Sequence, residues 1–168
     1  METKDIKNST EIVANSIKPL NKYIERNLLI KTEEDKDACL RFLISNNKIL
    51  TLCSKYYDIK YINTALDYSD CLIYFISQEN HKDIVGFALI KSKEKIYGKI
   101  LNILLLCSIS DEVNEMIVYS LYNFAVKYKY SFLYVAPRTP ELRKIFIKDG
   151  YESIHGIEGI DELLEKEI

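Results

Sequence analysis

The chain has few of the residues that usually mark an active site. Its 168 residues include no tryptophan, two histidines, three prolines and five glycines. Neither His81 nor His155 has neighbours at metal-ligand spacing, so no metal site is expected. The sequence also lacks a G-x-x-x-x-G-K-[ST] phosphate loop, a dinucleotide G-x-G-x-x-G pattern and a serine-hydrolase G-x-S-x-G pattern. Function must therefore be inferred mainly from the order of helices and strands.

Long apolar runs and paired cysteines are missing as well. No apolar run approaches the roughly 20 residues that cross a bilayer, and the first residues do not resemble a secretory signal. The cysteines stand far apart, without a C-x-x-C pair, at positions Cys39, Cys53, Cys71 and Cys107. We therefore expect a cytoplasmic protein with no membrane contact, whose cysteines are reduced and mostly buried.

Excess positive charge is absent too. The formal net charge is -2 and the isoelectric point about 5.8, so nucleic acid is not an expected partner. The densest basic and aromatic stretch is 127–130, Lys-Tyr-Lys-Tyr, which could stack on bases. We favour a structural role for it, because cations stabilise the last turn of a helix. Hydrophobic residues make up 48% of the chain, which indicates a globular protein.

Residues 1–27 are expected to form an N-terminal helical extension packed on the rest of the chain. Val13, Ile17, Leu20 and Ile24 recur at helical spacing, and Pro19 predicts a kink among them. This extension is also a candidate contact surface for a protein partner.

Residues 28–168 are expected to form a single α/β domain. Apolar periodicity and turn residues predict strands at 28–30, 71–77, 84–91, 100–107, 131–136, 151–154 and 163–167. They predict helices after Thr32, over 57–66, over 111–130 and from Thr139 to Gly150. The long helix joins two strands, which indicates a parallel pair with a right-handed crossover.

This order resembles the Gcn5-related N-acetyltransferase (GNAT) family over about residues 28–168. The best local match is 139–151, TPELRKIFIKDGY, which is similar to the family's helix ending in a tyrosine, four residues and a Gly-Phe pair. The resemblance implies an α/β (α+β) fold with a mixed, mostly antiparallel central sheet flanked by helices. It also implies transfer of an acyl group from acetyl-CoA or another acyl-CoA to an amine of a small molecule or a protein.

In that family the pantetheine arm lies between two splayed strands, here 100–107 and 131–136. The resemblance places cofactor contacts at six residues, namely Leu106, Cys107, Ser108, Asn114, Thr139 and Phe146. The family's helix-capping asparagine falls on Thr139, and its general-acid tyrosine falls on Phe146, which has no proton to give.

The start of the long helix also departs from the family's pattern. The family binds the pyrophosphate on backbone donors of a glycine-containing loop, whereas the stretch 108–115 reads SISDEVNE, without glycine and with three carboxylates. Free amides at a helix N-terminus attract anions, but these carboxylates oppose a second anion. A helix start that is simply capped by Ser108 or Ser110 is the alternative interpretation.

Two functions therefore stay open. A divergent acyltransferase predicts a cleft that reaches the central strand, whereas a catalytically inactive GNAT-fold protein that binds a partner or another ligand predicts a closed cleft. No catalytic residue is assigned, because Asn102 is the one polar side chain within the central apolar strand. Cys107 precedes a helix N-terminus and is a candidate nucleophile if His155 serves as its base, although a buried, inert cysteine is the favoured interpretation.

Overall fold

Seven strands and four helices make up the part of the chain that this computed structural model describes, residues 22–29, 31–46, 59–79, 83–158 and 160–168. In chain order they are β1 (Tyr23–Leu28), α1 (Glu33–Ser45), α2 (Ile59–Tyr68), β2 (Cys71–Ser77), β3 (Ile84–Lys95), β4 (Gly98–Ser108), α3 (Asp111–Lys127), β5 (Phe132–Val135), α4 (Pro140–Lys148), β6 (Glu152–Ile157) and β7 (Ile160–Glu167).

The seven strands form one sheet in the order β1-β2-β3-β4-β5-β7-β6. Its pairs are antiparallel except β4 with β5, which run parallel on either side of the α3 crossover. The expected mixed, mostly antiparallel α/β fold is therefore confirmed, as is the parallel pair around the long helix.

Two apolar layers cover the sheet, one on each face. Side chains of α3 and α4 such as Leu121 and Phe146 pack with Leu101 of β4 on the first face. Side chains of α1 and α2 pack on the opposite face, where Leu105 of the same strand lies. Because β4 is buried on both faces, its sequence is a nearly continuous apolar run.

Local sequence explains where the helices begin and end. Thr32 and Asp35 form a capping box at the start of α1. The Thr139 hydroxyl accepts a hydrogen bond from the main-chain N–H of Leu142, and Pro140 takes the first position of α4, where no donor is needed. Gly150 follows α4 with a φ of 98°, a left-handed conformation that favours glycine.

Several element bounds differ from the expectation. β1 spans Tyr23–Leu28 and not 28–30, so part of the proposed extension belongs to the sheet, where it pairs with β2 along its whole length. β3 continues to Lys95 because its polar, solvent-exposed end still pairs with β4. α2 lies at Ile59–Tyr68, and α3 ends at Lys127. Residues 1–21, Cys53 and His81 lie outside the described residues, so the N-terminal helix stays a prediction.

Gly86 of β3 allows the first turn of α3 to approach the sheet. A methyl group at this position would lie 2.7 Å from Cβ of Ser108 and 2.8 Å from Cγ1 of Val113, both well inside normal carbon contact distances. We expect Gly86→Ala to lower the free energy of unfolding by about 1–3 kcal/mol, as overpacking does, measured by urea denaturation.

A double-mutant cycle checks the cause. Val113→Ala removes Cγ1, so Gly86→Ala should destabilise the Val113→Ala protein less than it destabilises the wild type. Additive losses would contradict the close approach of helix and strand.

Candidate functional site

A groove opens between β4 and β5 where their pairing ends. The parallel ladder runs from Ile100↔Phe132 to Ile103↔Val135 and stops there. Pro137 follows, and since proline has no N–H it cannot extend the ladder. The groove is lined by Ile103, Leu104, Leu105, Leu106, Val135, Ala136, Pro137, Arg138, Leu142 and Phe146.

A β-bulge in β4 lies at the same height as the groove. Leu89 of β3 pairs with Leu105 and Ile90 pairs with Ile103, so Leu104 is an extra residue in β4. A bulge leaves the extra residue out of the ladder and changes the direction of its main-chain groups. The main chain of β4 therefore borders the groove where its pairing with β5 has ended. At the same point the bulge shifts its pairing with β3.

The groove is narrow. Its cavity volume is only about 20 Å³. A buried water needs roughly 10–15 Å³ by the same measure, so the groove holds about one water molecule. A ligand arm enters only if lining side chains such as Leu106 and Phe146, which are 5% and 1% exposed, move apart.

Three polar side chains cross the sheet directly beside the groove. Asn102 of β4 pairs with Tyr134 of β5, and Tyr134 pairs with Glu165 of β7. We call these three residues the polar row. They lie on the sheet face opposite α3 and α4, because their strand neighbours Leu133 and Leu164 pack in the layer beneath those helices.

Within the polar row, the side chains of Tyr134 and Glu165 are neighbours on the same face of two paired strands. Burial and then the Glu165 carboxylate beside it raise the pKa of Tyr134 above its ordinary value of 10.0. The phenol therefore stays protonated at neutral pH. The carboxylate oxygens of Glu165 can accept a hydrogen bond or a proton from another group.

The start of α3 uses its own main-chain donors. The Ser110 hydroxyl accepts from the N–H of Val113 at 3.3 Å, and Ser110 in turn donates its N–H to the Ser108 hydroxyl at 3.3 Å. The Ser108 hydroxyl lies 2.6 Å from Oδ1 of Asn114, to which it donates. The interpretation of this segment as a capped helix start is confirmed.

A pyrophosphate would meet negative charge at this helix start. The main-chain N–H groups of Ser110 and Val113 are already bonded, and Asp111, Glu112 and Glu115 carry exposed carboxylates close to them. Negative charge there stabilises the helix dipole and repels a second anion. The side chains of the segment 108–115 therefore oppose the phosphates of coenzyme A.

α4 forms one wall of the groove, and an ion pair links it to β7. Nε and Nη2 of Arg143 donate to the two carboxylate oxygens of Glu162 at 2.6 and 3.2 Å. The Glu162 side chain is 5% exposed, so the pair is largely shielded from solvent. Hydrogen bonding from Arg143 lowers the pKa of Glu162 below its usual value of 4.5.

The structure brings together some of the residues for which the resemblance implies cofactor contact. Leu106 and Phe146 both line the groove, and Thr139 caps α4 next to it. Ser108 and Asn114 bond to one another at the start of α3. Cys107 is fully buried in the layer beneath α1 and α2, on the other sheet face from Leu106 and Phe146.

The alternative pairing of Cys107 with His155 is wrong. Cys107 is in β4 and His155 in β6, and the sheet order places β5 and β7 between them. His155 is exposed, whereas Cys107 has no exposed surface. The described cysteines Cys39, Cys71 and Cys107 are buried and free of disulfides, as expected.

Sequence reasoning missed the bulge at Leu104 and two members of the polar row. Tyr134 lies between the buried Leu133 and Val135, and Glu165 follows the buried Leu164, so both residues lie on the less buried face of their strands. Their adjacency depends on β7 lying beside β5, a long-range pairing that no local pattern reveals. Among the described residues, no metal-binding group of His, Cys, Asp and Glu occurs and no helix is long and apolar enough to cross a membrane.

No protein-family model matches the chain, and no curated protein matches it in sequence. Solved structures do match it. A GNAT-family acetyltransferase from Listeria monocytogenes is 12% identical, with 87% of this chain and 95% of that chain covered and a TM-score of 0.62.

Two further structures match over similar lengths. A Drosophila melanogaster polyamine N-acetyltransferase that forms N-acetylagmatine is 7% identical, covering 87% of this chain and 100% of that chain at a TM-score of 0.64. The PaiA N-acetyltransferase of Thermoplasma acidophilum, solved with coenzyme A, is 10% identical, covering 87% and 99% at a TM-score of 0.61. The chain therefore has the GNAT fold.

The ion pair of α4 predicts a pH-dependent contribution to stability. A carboxyl group whose pKa is lowered on folding stabilises the protein above its ordinary pKa, and this contribution is lost as the pH falls through the lowered value. We expect Glu162→Gln to be less stable than the wild type at neutral pH, and to lose less stability on acidification below about pH 5, measured by urea denaturation.

Glu158→Gln is the matched control. Glu158 lies 3.6 Å from Nη1 of the same arginine, but its side chain is 69% exposed. Exposed pairs contribute little, so this variant should keep the wild-type pH profile. Equal profiles for Glu162→Gln and the wild type would contradict the role of the buried pair.

Proposed function

We propose that the chain is an acyltransferase of the GNAT fold, which takes an acyl thioester into the groove between β4 and β5 and transfers the acyl group to an amine. One observation carries the proposal: the ladder ends at Ile103↔Val135 at the same height as the bulge at Leu104. An apolar groove with displaced main chain along one wall suits the extended arm of a thioester such as acetyl-CoA.

The reaction forms a carbon–nitrogen bond and breaks a carbon–sulfur bond. The amine nitrogen attacks the thioester carbonyl, whose oxygen becomes negative, and main-chain donors beside the bulge at Leu104 are suited to stabilise that charge. The carbonyl re-forms as the thiolate leaves. Because a thiol has a pKa near 8.5, the thiolate takes its proton from water, and the nitrogen, which is positively charged after the attack, gives its second proton to the hydroxide that remains. The absence of a proton donor at Phe146 therefore does not block the reaction.

The amine approaches the thioester from the sheet face that carries the polar row. The thioester arm approaches along α4, whereas Asn102, Tyr134 and Glu165 lie on the opposite face of the sheet. A carboxylate oxygen of Glu165 can accept the proton that the amine must lose before attack. Glu165 is therefore our candidate for the base, with Tyr134 as its positioning residue.

The acyl donor fits this structure only in part. Its pantetheine arm suits the apolar groove once the lining side chains move apart. Of the implied residues, Leu106 and Phe146 line the groove and Thr139 caps α4 beside it. Its phosphates meet the carboxylates at the start of α3, which weaken their binding. Ser108 and Asn114 are implied contacts whose side chains already bond each other, and Cys107 faces away from the groove.

A catalytically inactive, ligand-binding GNAT-fold protein is the second candidate function. The small water-accessible space in the groove, about 20 Å³, favours it, as do the bonded donors at the start of α3. A protein of this kind predicts that the groove stays closed to any thioester.

Binding of two acyl donors distinguishes the candidates. We expect calorimetric titration to show that both acetyl-CoA and S-acetylpantetheine, which has no phosphates, bind to the wild type. Ligand at about 100 times its dissociation constant should stabilise the fold by roughly 2.7 kcal/mol. Asp111→Asn with Glu112→Gln should strengthen acetyl-CoA binding by about threefold to tenfold through loss of repulsion, and leave acetylpantetheine unchanged.

Ala136→Leu tests the location of the arm. Ala136 lines the groove one residue beyond the paired part of β5, so a larger side chain fills the groove without interrupting the ladder. This variant should fold normally and bind neither donor. If the wild type binds neither donor at millimolar concentration, the acyltransferase proposal fails and the second candidate function is supported.

The role of Glu165 predicts a loss of rate without a loss of donor binding. We expect Glu165→Gln to lower kcat/KM for acetyl transfer to a mixture of primary amines by about 10²–10⁴-fold, measured as release of free coenzyme A. Acetyl-CoA affinity should stay at the wild-type value.

Glu167→Gln is the control for this variant. Glu167 lies on the same face of β7 but pairs with Phe132, further from the groove than Tyr134. Its rate should stay within about twofold of the wild type. A wild-type rate for Glu165→Gln would remove Glu165 from the mechanism.

A further inference from the structure

A second groove lies on the other side of α3, between that helix and the edge strand β1. It has a volume of about 440 Å³, within the range of roughly 300–1,000 Å³ that small-molecule pockets occupy. We call it the α3–β1 groove. Its lining residues are Tyr23, Glu25, Phe75, Glu112, Glu115, Met116, Tyr119 and Ser120.

The lining of this groove follows from two regular patterns. The residues from α3 stand at 112, 115, 116, 119 and 120, a spacing that places them on one helix face. Tyr23 and Glu25 alternate along β1, and Glu25 pairs directly with Phe75 of β2. The groove is therefore a consequence of the sheet and the longest helix, and not of a loop conformation.

The charged side chains described in this lining are all negative. Its described residues combine carboxylates with aromatic faces and include no lysine, arginine or histidine. Phe75 is 4% exposed and forms the floor, Tyr119 is 63% exposed and stands at the rim, and Ser120 adds a buried hydroxyl. Negative charge beside ring faces is complementary to an organic cation, which the carboxylates attract and the aromatic rings bind through cation–π contacts.

The three carboxylates of the lining are not equally free to bind a cation. Glu115 lies 3.7 Å from Lys148 of α4, and both side chains are more than half exposed. Glu25 and Glu112 are exposed and flank the groove from β1 and α3. These two side chains therefore carry most of the charge that a bound cation would meet.

A metal ion does not explain the groove. No three His, Cys, Asp or Glu side chains of the described residues stand close enough together to hold one. The floor also consists of an aromatic ring and the Met116 thioether, which suit hydrocarbon and not a hydrated cation.

We propose that the α3–β1 groove is a binding site for an organic cation of the alkylammonium or guanidinium class. The hydrocarbon part lies on Phe75 and Met116, and the cationic group lies between Glu25 and Glu112 near the ring of Tyr119. Glu112, whose carboxylate repels a pyrophosphate at the start of α3, thus contacts the proposed cation. The site is separate from the β4–β5 groove and does not require the acyltransferase proposal.

Titration with defined probes tests the site. The probes are hexylammonium, butylguanidinium and, as an uncharged control, 1-hexanol, each followed by calorimetry and by amide NMR shifts in the absence of any acyl donor. We expect at least one of the two cations to bind and hexanol not to bind at the same concentration. The shifts should centre on residues 112–120 and on β1.

Charge variants separate a built site from general attraction to an acidic surface. Glu25→Gln with Glu112→Gln should weaken binding of the cation by about threefold to tenfold, and Tyr119→Ala should weaken it by about twofold to fivefold. Asp111→Asn is the matched control, because Asp111 is an exposed carboxylate of the same helix turn that does not line the groove. Its affinity should stay within about twofold of the wild type.

Each of four results would overturn the proposal, and the first three concern affinity. They are the absence of cation binding at millimolar concentration, equal binding of hexanol, and equal losses in Asp111→Asn and the double variant. Shifts confined to the β4–β5 groove would also overturn it, since they would place the cation at the proposed acyl-transfer site instead.

Discussion

The short length of β5 is the constraint on which the site depends. Four residue pairs join it to β4, and the chain then turns through Pro137 into α4. A longer β5 would pair with β4 beyond Ile103 and close the gap between them. Because β4 runs on to Ser108, its second half is held by β3 alone, with a bulge at Leu104. The opening is therefore built into the register of the sheet and does not depend on a mobile loop.

α3 packs on the sheet along one face and begins with an exposed first turn, and its sequence fits both environments. Its inward face is apolar and packs on the sheet, with Gly86 giving it room for a close approach. Its first turn is acidic, which stabilises the helix dipole but removes the positive end that an anion would use. A helix start of this kind disfavours a phosphate and leaves negative charge beside an aromatic groove. One sequence feature thus bears on both proposals, since it weakens binding of the acyl donor's phosphates and supplies a carboxylate to the proposed cation site.

Local patterns predicted most of the fold, whereas the site depended on pairings between distant strands. Helix bounds followed from caps such as Thr32 and Thr139, and β4 from its apolar run, because these signals act over a few residues. The bulge at Leu104 could not be predicted, since leucine fits a regular strand equally well. The polar row needs β7 beside β5, and β1 needs β2 as its partner, so neither could be found before the sheet order was known.

Phe146 lies where the resemblance to the GNAT family implies a general-acid tyrosine, and a tyrosine follows α4 instead. Phe146 has no hydroxyl, and Tyr151 packs edge-on against it with ring centroids 4.9 Å apart. The Tyr151 hydroxyl is buried and has no hydrogen-bond partner among the described groups, and burial raises its pKa far above the ordinary value. It is not among the residues that line the β4–β5 groove. Tyr151 therefore completes an aromatic pair without giving the groove a proton donor, so the proposed acyl transfer relies on the low pKa of the leaving thiol.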